Sequence, residues 1–206
     1  MSTLKVDTIL KRTGTGTITV GQSGDTISIP TTLNATTIQQ GGSAITQGIT
    51  NAEQHQQTAS VTLSSADTWT LLTPFARSSG SGLGNIETYV SSSSGIFSFS
   101  QTGYYSIEFF AYLKRSNHLN QYAGTSIYMT TNDSSYTQLC EAYTNLPDVS
   151  GAYGSTSNKV IVDITDTSQC KVKFMAQTSD AGGISMQAGS GLPMKNYATF
   201  IRIGDT

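Results

Sequence analysis

The chain has 206 residues, a formal net charge of −2 and only 12% charged residues. Typical globular domains carry about 25% charged residues, so this chain relies on neutral polar side chains for solubility. That profile is typical of β-rich extracellular or particle-surface proteins. The net charge of −2 argues against nucleic acid and anionic membranes as partners, because both select basic surfaces. The length allows one sizeable domain with an extension, or two small domains.

The sequence has no apolar run near the ~18 residues that a membrane-spanning helix needs. Its first residues, MSTLKVDTILKRTG, lack the continuous apolar core of a signal peptide. We therefore expect synthesis in a cytosol, without export by the general secretory route and without membrane insertion. Cys140 and Cys170 have no metal-like spacing. Free thiols are favoured over a disulfide, because cytosolic synthesis disfavours oxidation.

The N-terminal part of the chain carries a short repeat. Thr-Ile pairs recur nine residues apart, at positions 8–9, 17–18 and 26–27, and glycines punctuate the units. Apolar and polar residues alternate within each unit, which predicts very short strands joined by tight turns. All the phenylalanine, tyrosine and tryptophan residues come later, between Trp69 and Phe200.

Residues 1–57 hold too few aliphatic side chains to offset the entropy lost when they become ordered. The segment is therefore disordered or built together with other chains, and we favour the second. We predict a β-rich anchor that winds with other copies or docks on a neighbouring protein, then a Gly- and Gln-rich connector with a short helical turn near residues 51–57. The predicted anchor residues are the regularly spaced aliphatic ones: Leu4, Val6, Ile9, Ile18, Val20, Ile27 and Ile29.

Residues 58–206 are predicted to form an all-β head domain. Short alternating segments separated by turn residues are typical of a sandwich or jelly roll. The predicted strands are Ala59–Leu63, Asp67–Leu72, Ile86–Val90, Ile96–Ser100, Tyr104–Lys114, Thr125–Thr131, Tyr136–Tyr143, Lys159–Ile164, Cys170–Gln177, Ile184–Ala188 and Tyr197–Ile203.

The longest of these strands has aromatic residues on both faces. Tyr105 and Phe109 share one face, and Tyr104, Phe110 and Tyr112 share the other. Both faces are then expected to be buried, one in the core of the domain and one in a subunit interface.

Little in the sequence indicates an enzyme. His55 lies in the connector and His118 in a loop, and a serine triad around His118 is expected by chance among so many serines. The scattered Asp163, Asp166 and Asp180 are expected to cap turns rather than to form an acid pair. We therefore predict no catalytic residue, no cofactor and no metal site.

Two loops are candidates for receptor binding. Lys114–Tyr122 combines hydrogen-bond donors with aromatic rings, which suits sugar hydroxyls or a protein epitope, and Thr144–Asn158 adds an aromatic tip. The alternative is that both are ordinary polar loops whose aromatic residues seal subunit contacts. The candidate receptor-binding residues are Arg115, Asn117, His118, Tyr122 and Tyr153.

The stretch GIFSFSQTGYYSIEFFAYL, residues 95–113, resembles the central signature of the trimeric jelly roll shared by tumour necrosis factor and the globular head of complement component one. The matching positions are Gly95, Phe97, Gly103, Tyr105, Ile107 and Phe109. Tyr197–Ile203 resembles the closing strand of that fold. The resemblance implies a homotrimeric jelly roll over residues 58–206. The chain lacks a collagen-like stalk and an acidic cluster, so calcium binding is not implied.

The opening MSTLKVDTI, followed by TGTITVGQSGDTISIP, is similar to the start of virion structural and tail-fibre proteins of tailed phages, notably marine and cyanobacterial ones. The resemblance implies a trimeric virion-surface fibre or spike, made in the host cytoplasm. Its N-terminus would dock on other virion proteins, and its head would contact a host surface glycan or protein. The alternative is a capsid cement protein that stabilises the shell. A secreted bacterial lectin-like module is disfavoured by the missing signal peptide.

Overall fold

The computed structural model describes residues 39–40, 43–44, 49–116, 121–189 and 193–206. Every regular element in these ranges is a β-strand, and none of them contains a helix long and apolar enough to cross a membrane. The chain divides into two compact units, residues 1–45 and 46–206. The predicted anchor residues, from Leu4 to Ile29, and the loop residues Asn117 and His118 lie outside the described residues.

In the first unit the structure describes one small hairpin. β1 (Gln39–Gln40) pairs antiparallel with β2 (Ser43–Ala44), and Gln39 lies opposite Ala44. The predicted strands at positions 17–20 and 26–29 lie outside the described residues, so the nine-residue repeat stays a prediction.

The second unit is a sandwich of two antiparallel sheets. Its strands are β3 (Asn51–Gln57), β4 (Val61–Leu63), β5 (Thr70–Leu71), β6 (Phe75–Arg77), β7 (Val90–Ser93), β8 (Ile96–Phe99), β9 (Gly103–Arg115), β10 (Tyr122–Thr130), β11 (Thr137–Asn145), β12 (Tyr153–Ile164), β13 (Lys171–Thr178), β14 (Ile184–Met186) and β15 (Tyr197–Gly204).

The strand order is that of a jelly roll. The six-stranded sheet has the order β11-β10-β13-β8-β7, with β5 also paired to β13. The seven-stranded sheet has the order β4-β14-β9-β15-β3-β6, and β12 pairs with β9 as well. Strands that follow each other in the chain are often in different sheets, as in double-sheet jelly rolls. The predicted all-β jelly-roll sandwich is therefore confirmed.

Aromatic side chains dominate the core between the sheets. β9 alternates strictly, so Tyr105, Ile107 and Phe109 are fully buried while their neighbours are not. Phe109 stacks on Phe174 of the opposite sheet with ring centroids 4.6 Å apart, and Phe97 lies 5.0 Å from Phe174. Burial of rings of this size supplies much of the stability of such a core. The same alternation fixes which side chains reach the two outer faces.

The start of β9 explains one glycine of the sequence signature. Gly103 has a φ of 137°, and a Cβ on it would lie 2.4 Å from the carbonyl oxygen of Gly204. β15 pairs with β9 here through a bulge. Glycine is therefore required where the closing strand meets β9.

The structure differs from the sequence prediction in several places. Residues 51–57, predicted as a connector with a helical turn, form β3 instead and pair with β15 and β6. β6 itself was not predicted, and β12 begins at Tyr153, inside the predicted loop Thr144–Asn158. The second compact unit spans residues 46–206, and the predicted boundary between anchor and head at residues 57 and 58 stays a prediction. β3 does not look like a sheet strand in the sequence, because its buried side chains are polar.

Candidate interaction faces

The outer face of the seven-stranded sheet carries two stacked pairs of aromatic rings. Phe110 of β9 stacks on Tyr197 of β15, with centroids 5.4 Å apart and planes within 26°. Tyr112 of β9 stacks on Tyr153 of β12 at 5.2 Å and 18°. Tyr153 remains 54% exposed. The pairs therefore form rigid apolar surface that is still open to a further contact.

Aliphatic side chains extend this surface along the same strands. Ile161 of β12 and Ile201 of β15 both lie opposite Ser106 of β9, and Ile161 is 66% exposed. Exposed apolar side chains grouped in this way are typical of interaction surfaces. We call this surface the seven-stranded face. Its members are Tyr104, Phe110, Tyr112, Tyr153, Ile161, Tyr197 and Ile201.

The outer face of the six-stranded sheet carries a second aromatic group, which we call the six-stranded face: Trp69, Tyr122, Tyr128 and Tyr143. Tyr122 and Tyr143 meet edge to face, with centroids 5.6 Å apart and planes at 79°. Trp69 lies 6.1 Å from Tyr128 and 6.4 Å from Tyr143. Aromatic pairs at these distances stabilise each other by about 1 kcal/mol beyond simple burial.

A glycine allows Tyr143 to lie across the sheet. Gly124 of β10 is directly opposite Tyr143 of β11, and a Cβ on it would lie 2.5 Å from Cε1 of the ring. The Tyr143 hydroxyl donates to Glu141 Oε2 at 3.2 Å and accepts a hydrogen bond from Gln177 Nε2 of β13. Burial and the nearby Glu141 carboxylate raise the pKa of Tyr143, so its hydroxyl stays protonated at neutral pH.

Tyr122 is also fixed through its hydroxyl. That group donates to Asp67 Oδ1, and this hydrogen bond raises the pKa of Tyr122. Beside the two rings lies an open cavity of about 370 Å³, lined by Tyr122, Tyr143 and Asn145. The cavity combines aromatic surface with an amide that both donates and accepts, which is the usual make-up of a small-ligand site.

The other end of the six-stranded face holds a lysine over two rings. Lys173 Nζ lies 4.2 Å from the centroid of Tyr136 and 5.6 Å from that of Tyr128. Cations at these distances are attracted by the ring faces. The positive charge at this end is therefore engaged by tyrosines rather than directed at the cavity.

The fold was compared with those of known proteins. No protein-family model and no curated protein sequence matches this chain. The structure of murine APRIL at pH 5.0 matches with a TM-score of 0.54 and 10% identity over 74% of this chain and 98% of that chain. Eiger TNF from S. frugiperda matches with a TM-score of 0.50 and 10% identity over 75% and 93% of the two chains. The sandwich has a tumour-necrosis-factor-like fold. At this identity the likeness shows the fold alone.

Arg115 has a structural role in this tumour-necrosis-factor-like sandwich. It is 2% exposed, and its Nη1 donates to the carbonyl oxygens of Leu146 at 2.8 Å and Pro147 at 2.6 Å. Its Nη2 lies 2.8 Å from Asp148 Oδ1. Charge-assisted bonds from one planar guanidinium hold the loop between β11 and β12 in place. The predicted receptor contact of Arg115 stays a prediction, and its burial shows a structural role for the side chain.

The structure separates the two other predicted receptor residues that it describes. Tyr122 lies on the six-stranded face and Tyr153 on the seven-stranded face, so they do not form one site. Tyr153 begins a strand and is not on a loop tip. Trp69 and Tyr143 are far apart in the sequence, which gives no sign that their rings lie 6.4 Å apart. Their proximity depends on the strand register that places Tyr143 opposite Gly124.

A buried carboxylate fastens β3 beneath the seven-stranded face. Glu53 is 1% exposed and accepts hydrogen bonds from Arg77 Nε at 3.1 Å and from the backbone N–H groups of Tyr89 at 2.7 Å and Val90 at 2.6 Å. His55 Nε2 lies 3.5 Å from Glu53 Oε2. Burial alone would raise the pKa of Glu53, but the hydrogen bonds outweigh it and lower the pKa to about 2.

The other residues that were weighed for a catalytic or metal-binding role are a histidine, an aspartate and the two cysteines. His55 is 3% exposed and packs edge-on against two phenylalanine rings. Asp166 Oδ1 accepts from the backbone N–H of Ser168 at 2.8 Å, so it caps a turn as predicted. Cys140 and Cys170 are free thiols, also as predicted, and Cys170 is buried while Cys140 is half-buried.

Proposed function

We propose that the protein is a homotrimeric surface fibre or spike of a tailed-phage virion. Its N-terminal segment docks on other virion proteins, and its tumour-necrosis-factor-like sandwich contacts the host surface. It works by multivalent adhesion and not by catalysis. Three weak sites per trimer and many trimers per particle give strong attachment without tight single contacts.

The observation that carries the proposal is the exposed seven-stranded face. Ile161 and Tyr153 leave 66% and 54% of their surface uncovered, beside two stacked ring pairs. Such a surface favours association, particularly in a chain with few charges. Copies of the same chain are the occupant that we propose. The resemblance of residues 95–113 to a trimeric jelly roll supports this choice.

The open edge of the sandwich supports a cyclic assembly. β11 and β12 are the outermost strands of their sheets on the same side of the sandwich, and they contact each other. Edge strands expose unpaired backbone groups and are usually covered. If this edge packs on the seven-stranded face of a second copy, the contact joins two different surfaces. A contact of that kind does not form a two-fold dimer, and when its rotation between copies is one third of a turn it closes into a trimeric ring.

The virion assignment is supported by the sequence at the N-terminus. The opening MSTLKVDTI and the Thr-Ile repeat are similar to the start of tailed-phage virion proteins. A segment of this composition is expected from its sequence to need contact with other chains, which suits an attachment segment. Residues 46–206, which contain the sandwich, are a compact unit separate from residues 1–45.

Labelling of purified phage particles tests the location. Gold-tagged antibody against the sandwich should decorate the tail of each particle. Decoration of the whole shell would identify a capsid cement protein instead, and particles without label would contradict a virion role. A chain shortened to residues 46–206 should fold but should not be incorporated. If this shortened chain is incorporated into particles as well as the full-length control, the proposed anchor role of the N-terminal segment is contradicted.

A further inference from the structure

We propose that the six-stranded face binds a neutral sugar, with one sugar ring in the cavity lined by Tyr122, Tyr143 and Asn145. The inference rests on the proposed adhesion to a host surface, and it specifies the site and the ligand class. Tyr122, a candidate from the first predicted loop, is half-buried and begins β10. Its partners come from β11 and from the segment before β5.

The two tyrosine rings supply the apolar contact that a sugar needs. A pyranose ring carries C–H groups on its faces, and these pack against the electron-rich face of an aromatic ring. Tyr143 is 47% exposed, and Gly124 beneath it leaves the ring lying along the sheet surface. The cavity of about 370 Å³ falls within the size range of small-ligand sites.

The rings are already held in position. The Tyr122 hydroxyl is bonded to Asp67, and the Tyr143 hydroxyl is bonded to both Glu141 and Gln177. A ligand therefore does not have to order these side chains when it binds, which removes one cost of association. The Asn145 amide in the cavity lining complements sugar hydroxyls, because the amide donates and accepts and each hydroxyl can do both.

The local charge favours a neutral ligand over an anionic one. The charged groups that act on the two tyrosines are the carboxylates of Asp67, Asp180 and Glu141. Lys173 lies at the far end of the face, over Tyr136. Phosphorylated or acidic sugars would meet like charge without a compensating cation among the described residues of this cavity.

The ring geometry also disfavours a cationic ligand. An aromatic cage for a quaternary ammonium group needs rings on different sides of the cation, each within about 6 Å of it. Tyr122 and Tyr143 instead touch each other, with centroids 5.6 Å apart at 79°. No room is left between them for a cation. A sugar, which needs one open ring face and a row of polar groups beside it, fits this arrangement better.

The site stays compatible with the proposed trimer. The six-stranded and seven-stranded faces are on opposite outer surfaces of the sandwich, because they belong to different sheets that share one core. Tyr143 and Asn145 project from the outer face of β11, opposite Gly124 and Tyr122, and not from its free backbone edge. A copy that covers the seven-stranded face and this backbone edge therefore leaves the six-stranded face available. Each trimer would then present three sugar sites, which matches adhesion by many weak contacts.

Titration of the full-length protein with neutral sugars tests the proposal. The chain has a single tryptophan, and Trp69 lies 6.4 Å from Tyr143, so its fluorescence reports on the site. The probes are the methyl glycosides of glucose, mannose, galactose and N-acetylglucosamine, together with dextran and mannan. At least one probe should give a saturable change. Choline and glucose 6-phosphate serve as the cationic and anionic comparisons.

Three variants assign any binding to the site. Tyr143→Ala should raise the dissociation constant by roughly tenfold or more, because it removes a stacked ring. Asn145→Ala changes an exposed side chain and should raise it several-fold without affecting folding. Leu139→Ala is the matched control, since Leu139 is on the same strand, 41% exposed and not part of the cavity lining. It should leave the dissociation constant unchanged.

The proposal is overturned if no neutral probe binds, if choline or glucose 6-phosphate binds more tightly, or if both cavity variants bind like the parent protein. Mass measurement and particle labelling of the same preparations test the trimeric virion protein separately from the sugar site. A trimer found on virions that binds none of the probes contradicts the sugar site alone. Sugar binding by a protein absent from virions contradicts the virion role alone.

Discussion

The two outer faces of the sandwich are both aromatic, but they hold their rings differently. On the seven-stranded face, Tyr112 and Tyr153 stack nearly parallel at 18°, and no hydrogen bond to their hydroxyls is found among the described residues. On the six-stranded face, Tyr122 and Tyr143 meet at 79° and their hydroxyls are bonded to neighbouring polar groups. The first arrangement suits broad packing against another protein surface. The second is preorganised for a small polar ligand.

A charge on the seven-stranded face should have the largest effect. Ile161 is 66% exposed, so the single chain should tolerate Ile161→Glu. Within an interface, however, an unpaired carboxylate costs several kcal/mol. We expect this variant to sediment as a monomer at micromolar concentration. Ile86→Glu is the control, because Ile86 is 49% exposed and lies outside both faces. If the Ile161→Glu protein keeps the oligomer mass of the parent protein, the subunit interface does not include the seven-stranded face.

Loss of the buried carboxylate should destabilise the sandwich beneath both faces. Glu53→Gln leaves Arg77 and the N–H groups of Tyr89 and Val90 without their ionised acceptor. We expect the free energy of unfolding at pH 7 to fall by about 3 kcal/mol in urea titrations. Glu108→Gln, on the half-buried outer side of β9, should change it by less than about 0.5 kcal/mol.

The same carboxylate gives a pH dependence with a defined sign. The pKa of Glu53 falls from 4.5 to about 2 on folding, so its stabilisation is complete above pH 4.5 and is lost as the pH falls towards 2. The parent protein should lose up to about 3 kcal/mol over this window through Glu53. In the Glu53→Gln variant this part of the acid sensitivity should be absent. If the free energy of unfolding depends on pH in the same way for both proteins, Glu53 is not the source of this acid sensitivity.

A methyl group under Tyr143 should have a smaller effect that is confined to the six-stranded face. Gly124→Ala puts a Cβ 2.5 Å from the Tyr143 ring, so the ring must turn away from Gln177 and Tyr122. We expect a loss of about 1–2 kcal/mol, altered Trp69 fluorescence and weaker sugar binding, with no change in oligomer mass. Gly84→Ala is the control, because nothing lies within 4 Å of a Cβ at Gly84. Unaltered fluorescence and sugar binding would contradict the role of Gly124.

The fold could be predicted from the sequence where side-chain alternation follows burial. In β9 every second residue from Gly103 to Leu113 is apolar and buried, and that alternation predicts the strand. β3 does not follow from the sequence, because Glu53 and His55 are buried polar residues whose partners lie far along the chain: Arg77 for Glu53, and Phe97 and Phe200 for His55. A single sequence shows the residues of such a network but not their contacts.

The two proposed interaction faces do not follow from the sequence as directly as the fold does, and the cause is strand register. The pairing of Tyr143 with Gly124 and the stacking of Tyr153 on Tyr112 depend on which residues lie opposite each other across strands. Turn lengths and bulges set that register, and the sequence does not show them directly. The burial of Arg115 does not follow from the sequence for a related reason, because it depends on contacts with the carbonyl groups of Leu146 and Pro147, about thirty residues along the chain.

Hydroxyl-radical labelling of the intact protein compares the two faces most directly. In a single chain Tyr153 and Tyr143 are similarly open, at 54% and 47% exposure, so any large difference in their labelling must come from association. If copies of the chain cover the seven-stranded face, mass spectrometry will find Tyr153 protected and Tyr143 modified. Equal modification of both residues, or protection of Tyr143 alone, would contradict the division of roles between the two faces.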